Sequence, residues 1–158
     1  MLDKNPSNLL LIEKTLLLKS LAIFSDTPET ILAEIAELTE EEEIVAGNDI
    51  VKEGDVGSCM YIIFKGEVSI RKEKNVLATM QEKDFFGELS LLDTEKRSAT
   101  ATAVTDCILF RIDQEPFYDL LEQQPEVLRG IMKILSNRLR AANHQISELK
   151  SAALKHIG

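Results

Sequence analysis

Between residues 44 and 112 the chain breaks into short apolar runs punctuated by glycine, and this segment limits the fold more than any other feature. Gly47, Gly54, Gly57, Gly66 and Gly87, five of the seven glycines, fall inside it. The runs at 50–52, 60–64, 67–71, 76–80, 99–104 and 107–112 read as strands, at the steady spacing of an all-β barrel or jelly roll. Helical signals flank this unit. Residues 9–24 are densely apolar with a helical period, and Thr27 then reads as an N-cap with Pro28 at the first helical position. Ile31, Leu32, Ile35, Ala36 and Leu38 form the stripe that this second helix would bury. The glutamates at 40–43 close the helical region and read as a solvated helix end without a functional role.

After the β unit, Asp113 reads as the cap of a helix over 114–123, and Pro125 restarts the chain in a longer one. In that last helix Leu128, Met132, Leu135, Leu139, Ala142, Ile146, Leu149 and Ala153 are spaced alternately by four and three residues, a heptad seam. The seam either packs on the β unit throughout or pairs its far end with another chain, and its alanines limit the strength of such pairing. The expected fold is therefore mainly β with flanking helices, N-terminal helices before the β unit and two C-terminal helices after it.

Composition narrows the class of function. A length of 158 residues suits one domain with a real core, and 44% hydrophobic with 28% charged residues is ordinary for a globular protein. Glu13 and Lys14 interrupt the N-terminal apolar stretch, so it does not read as a secretory leader. With only Cys59 and Cys107 available for disulfides, a reducing, cytoplasmic setting is expected. Apolar runs fall far short of the roughly 20 residues that span a bilayer, so no membrane insertion is expected. Residues 1–126 hold 12 Lys+Arg against 26 Asp+Glu, a balance of −14, and residues 127–158 hold 6 against 1, or +5, which together give the net −9. So acidic a body repels nucleic-acid phosphates, and no nucleic-acid partner is expected for this chain alone. The basic C-terminal segment can dock on an acidic surface, its own body included, or stay solvated.

Enzymatic chemistry finds little support. Both histidines, His144 and His156, lie in the last helix, so the β unit lacks the histidine needed to hold a catalytic metal or activate a serine or cysteine. Two cysteines 48 residues apart do not have the spacing of a zinc site and read as small core residues. No enzyme activity, catalytic residue, metal or cofactor is expected.

A binding pocket is left, and the stretch FFGELSLLDTEKRSATATA over residues 85–103 has parts for a small anion. Gly87 permits a sharp turn, after which residues 88–92 can form one helical turn whose free N–H groups face an anion. Arg97 offers a planar donor fork suited to phosphate. Glu88 offers an acceptor for a sugar hydroxyl, as acidic residues do toward ribose elsewhere. An ion pair between Glu88 and Arg97 beside a surface turn is the competing reading, and spacing alone favours it.

The sequence closely resembles the cyclic nucleotide-binding domain family of catabolite activator proteins, cyclic-AMP-dependent kinase regulatory subunits and nucleotide-gated channels. The family's phosphate-binding cassette, Phe-Gly-Glu-Leu-(Ala/Ser)-Leu followed by Arg-(Ala/Ser/Thr)-Ala-Thr, is met by FGELSL at 86–91 and RSAT at 97–100. Upstream, GNDIVKEGDVGSCMYIIFKGEVSI at 47–70 is similar to the family's first strands, glycine for glycine. The resemblance covers roughly residues 16–140 and implies an eight-stranded jelly-roll-like β-roll that binds cyclic AMP or cyclic GMP as ligand. It implies that Glu88 accepts from the ribose 2′-hydroxyl, that Arg97 pairs with the cyclic phosphate, and that Gly87, Leu89, Ser90 and Ser98 line the same pocket. The helix holding Leu135 and Leu139 would close as a lid, with Arg138, Asn143 and His144 as polar candidates for contacting the base. Ser98 is compatible with either nucleotide, and cyclic AMP is preferred on its frequency in the family.

Two departures stand out. Many members carry glycine four residues before the cassette glycine, where this chain has Lys83, and glycine or proline in the loop before the arginine, where it has Asp93-Thr94-Glu95-Lys96. That acidic loop raises the electrostatic cost of placing a phosphate nearby, and Lys96 offsets part of it. The expected division is a helical extension over 1–20, the nucleotide-binding domain over 21–140 and the distal part of the last helix over 141–158. The expected role is a regulatory or sensor module of a larger signalling or transport protein, with a homodimer through the last helix. The alternatives are a degenerate domain that binds no nucleotide and serves structure or dimerisation, and a fragment of a catabolite-activator-type transcription regulator without its DNA-binding domain.

Overall fold

Helical periodicity shapes the start of the chain, and the computed structural model describes residues 6–157, with side chains from Leu10 onward. Residues 1–5 of the expected N-terminal extension lie outside the described residues. Helix α1 (Pro6–Ser20) is followed by a 3-10 turn (Ala22–Phe24) and helix α2 (Glu29–Leu38). Helix α2 begins one residue later than expected. Pro28 occupies the capping position with φ −57° and ψ 146°, and no side chain caps the helix. The Pro28 carbonyl instead accepts from the amides of Ile31 and Leu32, both at 3.0 Å.

The middle of the chain holds β1 (Glu40–Ile44), β2 (Asp49–Val51), β3 (Val56–Gly57), β4 (Cys59–Lys65), β5 (Val68–Lys72), β6 (Asn75–Met80), β7 (Phe85–Phe86), β8 (Glu95–Lys96), β9 (Thr100–Ala103) and β10 (Cys107–Asp113). A one-turn helix, α3 (Glu88–Leu92), separates β7 from β8. Eight of these strands form two four-stranded sheets, β1-β10-β4-β7 and β2-β9-β5-β6, in keeping with the implied eight-stranded roll, and β3 with β8 adds a two-residue ribbon. The chain closes with α4 (Gln114–Gln123) and α5 (Pro125–Lys155), with Pro125 in the first turn as expected.

Burial on both faces explains why β4 is an almost unbroken apolar run. Met60 and Ile62 point into a core shared with α1, α2, α4 and α5, beside Phe24, Phe110, Ile112 and Phe117. Tyr61 and Ile63 point the other way, into the interior of the roll with Val68, Phe86, Ala101, Ala103 and Leu109. Alternation along one strand thus joins the helical layer to the roll. Phe117 of α4 meets Phe24 edge-on at 6.3 Å between ring centroids, which seats α4 firmly.

The glutamate run is not a helix end. Helix α2 stops at Leu38, and the glutamates form edge strand β1, paired with β10 so that Glu40 lies opposite Arg111. Glutamate is a weak strand former, but charge on an edge deters pairing with a foreign strand. Arg111 compensates: its guanidinium pairs with Glu40 at 2.7 Å and with Glu42, and Nη2 donates to Asp113 Oδ2 at 3.4 Å. Burial opposes the Arg111 charge, but Asp113, Glu42 and Glu40 together outweigh it and raise its pKa. This also explains why Asp113, although at the cap position of α4, makes no side-chain cap there.

Lys83, where the resemblance implies a glycine, adopts φ +73°. A left-handed residue with a side chain costs roughly 1–2 kcal/mol, part of which glycine would return as unfolded-chain entropy. Lys83→Gly is therefore expected to stabilise the protein by about 0.5–1 kcal/mol, read as a higher thermal midpoint. A lower midpoint would mean that the Lys83 side chain has a packing role.

Candidate functional site

The six residues expected to bind ligand, Gly87, Glu88, Leu89, Ser90, Arg97 and Ser98, line one cavity of about 610 Å³ between the roll and α5. Gly87 precedes α3 at φ +79°, a left-handed turn that lets the chain leave β7 and enter the helix at once. The Ser90 amide donates to the Gly87 carbonyl at 3.0 Å. The amides of Glu88 and Leu89 come before it in the first turn, where a helix supplies no acceptor. Leu89 and Ser98 are exposed at the mouth, whereas Ser90 is buried.

Arg97 lies at the floor. Its residue is only 8% exposed. Nη2 donates to the Cys59 carbonyl at 2.8 Å and lies 3.3 Å from the Cys59 thiol. Backbone bonds pin the same residue from both sides, with the Arg97 amide donating to Asp55 at 2.7 Å and the Arg97 carbonyl accepting from Gly54 at 2.9 Å. Among the described residues it makes no ion pair. A buried charge without a counter-ion is costly, so this floor favours an anion.

Glu88 does not pair with Arg97, which removes the competing reading of a simple surface ion pair. Its Oε1 instead accepts from Arg138 of α5 at 2.8 Å. The Arg138 guanidinium also lies 5.8 Å from the centre of the Phe85 ring. Leu135, one turn earlier, lines the cavity, so α5 already covers one side of it. Leu139, named with Leu135 as a lid residue, is 63% exposed and does not line the cavity. Asn143 and His144 are exposed farther along α5, and His144 lies 3.1 Å from Glu148 on its own helix. Of the three polar lid candidates, only Arg138 touches the site.

Two contributors escaped the sequence reading. A Cβ built on Gly57 would come within 2.6 Å of both Arg97 Cζ and Ser90 Oγ, so absence of a side chain at Gly57 is what admits the guanidinium. A Cβ on Gly87 would likewise meet Arg97 Nη1 at 2.5 Å. The match of glycine positions in the stretch 47–70 was the available signal for Gly57. Cys59 is the second: it is only partly buried and contributes a carbonyl and thiol to Arg97, unlike fully buried Cys107. No sequence spacing signals a backbone carbonyl in that role.

The Asp93-Thr94-Glu95-Lys96 loop lines the rim. Asp93, Glu95 and Lys96 border the cavity and are exposed, so their charges face solvent as much as the pocket. Screening at physiological salt, where the Debye length is about 8 Å, weakens the repulsion such a rim exerts on a phosphate.

A family model described as cyclic nucleotide-binding domain matches residues 41–124, more than half of the chain and inclusive of the whole cassette. A CRP-like cAMP-activated global transcriptional regulator of Mycobacterium tuberculosis is 27% identical over 132 residues, covering 80% of this chain and 59% of the relative. The N-terminal domain of a transcriptional regulator from Streptomyces coelicolor superposes with a TM-score of 0.77 at 28% identity, over 82% of this chain and 93% of that domain. The regulatory domain of Toxoplasma gondii PKA, solved with cAMP, gives 0.67 at 28% identity over 76% and 46% of the two chains. The chain thus spans about three fifths of the mycobacterial regulator and less than half of the Toxoplasma regulatory domain chain. Among the described residues no helix is long and apolar enough to cross a membrane. With the cassette, the roll and the family match in agreement, this chain belongs to the cyclic nucleotide-binding domain family.

Proposed function

We propose that the cavity binds a cyclic nucleotide, cyclic AMP in preference to cyclic GMP, and that the chain is a regulatory module without catalytic activity. The observation that carries this reading is Arg97, a guanidinium at the floor of an open cavity, nine-tenths buried and, among the described residues, without a carboxylate partner. In the proposed complex Arg97 takes the cyclic phosphate, and the free amides at the start of α3 add donors to it. Glu88 accepts from the ribose 2′-hydroxyl through a lone pair that Arg138 leaves free, since a carboxylate has about four acceptor sites. Gly87, Leu89, Ser90 and Ser98 complete the wall. That the mycobacterial relative is cAMP-activated and the Toxoplasma domain was crystallised with cAMP supports adenine over guanine.

Binding can signal only if two states differ in affinity for the ligand. Arg138 and Leu135 make α5 the element that senses occupancy, and closure would tighten their contact with the cassette. The Arg138–Glu88 pair is half-exposed on the arginine side, so its worth is discounted to about 1 kcal/mol. Arg138→Ala is accordingly expected to weaken cyclic AMP binding about fivefold, mostly through faster release. Unchanged dissociation would remove α5 from the closure.

The same reading divides the chain into an extension over 1–20, a nucleotide-binding unit over 21–140 and a distal helix over 141–158. Every described residue from 136 onward is exposed, and Leu139, Ile146 and Leu149 on the seam are each at least half exposed. A second copy pairing along this stretch is the partner that the seam supports, with no nucleic acid or membrane engaged by this chain. Partial coverage of the relatives supports a module of a larger signalling or transport protein, and the two free thiols support a cytoplasmic setting. The acidic rim favours the second reading, a module that binds no nucleotide and serves structure or dimerisation. Calorimetric titration with cyclic AMP and cyclic GMP separates the two, and absence of saturable heat with both would establish the second.

A further inference from the structure

Helix α3 is one turn long, so its last carbonyls have no amide ahead of them to accept from. Two side chains of α4, one turn apart, supply the missing donors. The Tyr118 hydroxyl donates to the Leu92 carbonyl, and Gln114 Nε2 donates to the Ser90 carbonyl at 3.4 Å. Gln114 Oε1 in turn accepts from Thr94 Oγ1 at 2.7 Å, and the Gln114 amide donates to the Ser58 carbonyl at 2.9 Å. The first residue of α4 is thereby bonded to α3, to the loop that follows it, and to the turn that precedes β4. That loop is the acidic Asp93-Thr94-Glu95-Lys96 segment, where this chain departs from its family.

We infer that Gln114 and Tyr118 are positioning residues of the pocket, a polar clamp that makes the placement of α3 and the placement of α4 one variable. The inference rests on the proposed nucleotide reading only for its functional consequence. Glu88 and the free amides ride on α3, so a shift of α4 moves the ribose acceptor and the anion donors together. In the other direction, a ligand held by α3 pulls on α4, whose C-terminus joins α5 at the Gln124–Pro125 break. Apolar packing holds the two helices near each other, but packing alone does not fix the axial register of a five-residue helix. Hydrogen bonds to its terminal carbonyls do.

The test uses Tyr118→Phe, which keeps the ring, and Thr94→Val, which keeps the shape of threonine without its hydroxyl. Amide exchange is measured over residues 88–97 and 125–140 in the full chain, first without ligand and then with saturating cyclic AMP. Without ligand, each variant is expected to raise exchange over 88–97 by roughly three- to tenfold, the range of a neutral hydrogen bond, while Thr94→Ser stays at wild-type values. With cyclic AMP, the ligand-induced change over 125–140 is expected to shrink in the variants although calorimetry still detects binding. Wild-type exchange over 88–97 in both variants overturns the clamp. A wild-type chain that binds no cyclic nucleotide would refute the proposed function instead, and the ligand-free comparison would still decide the clamp.

Discussion

Arg97→Glu is expected to abolish measurable cyclic AMP binding while the roll stays folded. Removing one partner of a desolvated, hydrogen-bonded charge pair costs about 2–5 kcal/mol, and reversing the charge adds repulsion of the phosphate. The fold should tolerate the change because, among the described residues, Arg97 side-chain bonds go to Cys59 alone, while its backbone bonds to Asp55 and Gly54 do not depend on the side chain. A ligand at a hundred times its dissociation constant stabilises a folded protein by about 2.7 kcal/mol. The wild type should therefore melt higher with saturating cyclic AMP, and Arg97→Glu should show no rise. Arg97→Lys separates charge from geometry, since a lysine keeps the charge and loses the bidentate fork. Intermediate affinity is expected for it, and affinity equal to wild type would mean that the phosphate lies elsewhere.

Gly57→Ala is the second large effect. The added methyl would overlap both the Arg97 guanidinium and the Ser90 hydroxyl, and overpacking of this kind costs about 1–3 kcal/mol. The strand backbone at Gly57 is paired with Glu95 on β8, so the movable neighbour is the arginine side chain. Displacing it should weaken cyclic AMP binding by about ten- to a hundredfold with a smaller loss of stability. Calorimetry and thermal unfolding of the same sample check both halves. A variant that loses stability but binds at wild-type affinity would show that the strand yields and Arg97 stays in place.

These two residues also mark what could be read from the sequence. Arg97 was legible because a donor fork after a Gly-Glu turn has few other uses in a chain whose β unit lacks histidine, and the family pattern then assigned it a phosphate. Gly57 was legible only as a matched glycine; that it makes room for a side chain 40 residues later is a tertiary fact. Six of the strands between Asp49 and Asp113, namely β2, β4, β5, β6, β9 and β10, were visible through glycine spacing and apolar runs, whereas the two-residue strands β3, β7 and β8 are too short to leave such a pattern, and Pro125 announced α5. The glutamates of β1 were not, because local composition argued against a strand and the compensating Arg111 lies across the sheet. Register and distant charge, rather than propensity, decided that element.

The lid shows the same limit. A heptad seam gives the face of a helix but not the point where it leaves the body, and α5 leaves after Leu135. Asn143 and His144 were therefore indistinguishable from Arg138 as lid candidates until the helix was placed. Arg138 is selected by geometry, three residues beyond Leu135 and so on nearly the same face. The Glu88 carboxylate that meets it could not have been assigned to α5 from spacing alone, since 50 residues separate the pair.

The central claim is the division of labour between Arg97 and Glu88, and a crystal structure of the wild-type chain with cyclic AMP tests it most directly. The expected result is a nucleotide in the cavity beneath Leu135, with a phosphate oxygen about 2.7–2.9 Å from an Arg97 nitrogen and the ribose 2′-hydroxyl bonded to Glu88. A cyclic AMP molecule bound elsewhere, or seated in the cavity with its phosphate turned away from Arg97, would contradict it.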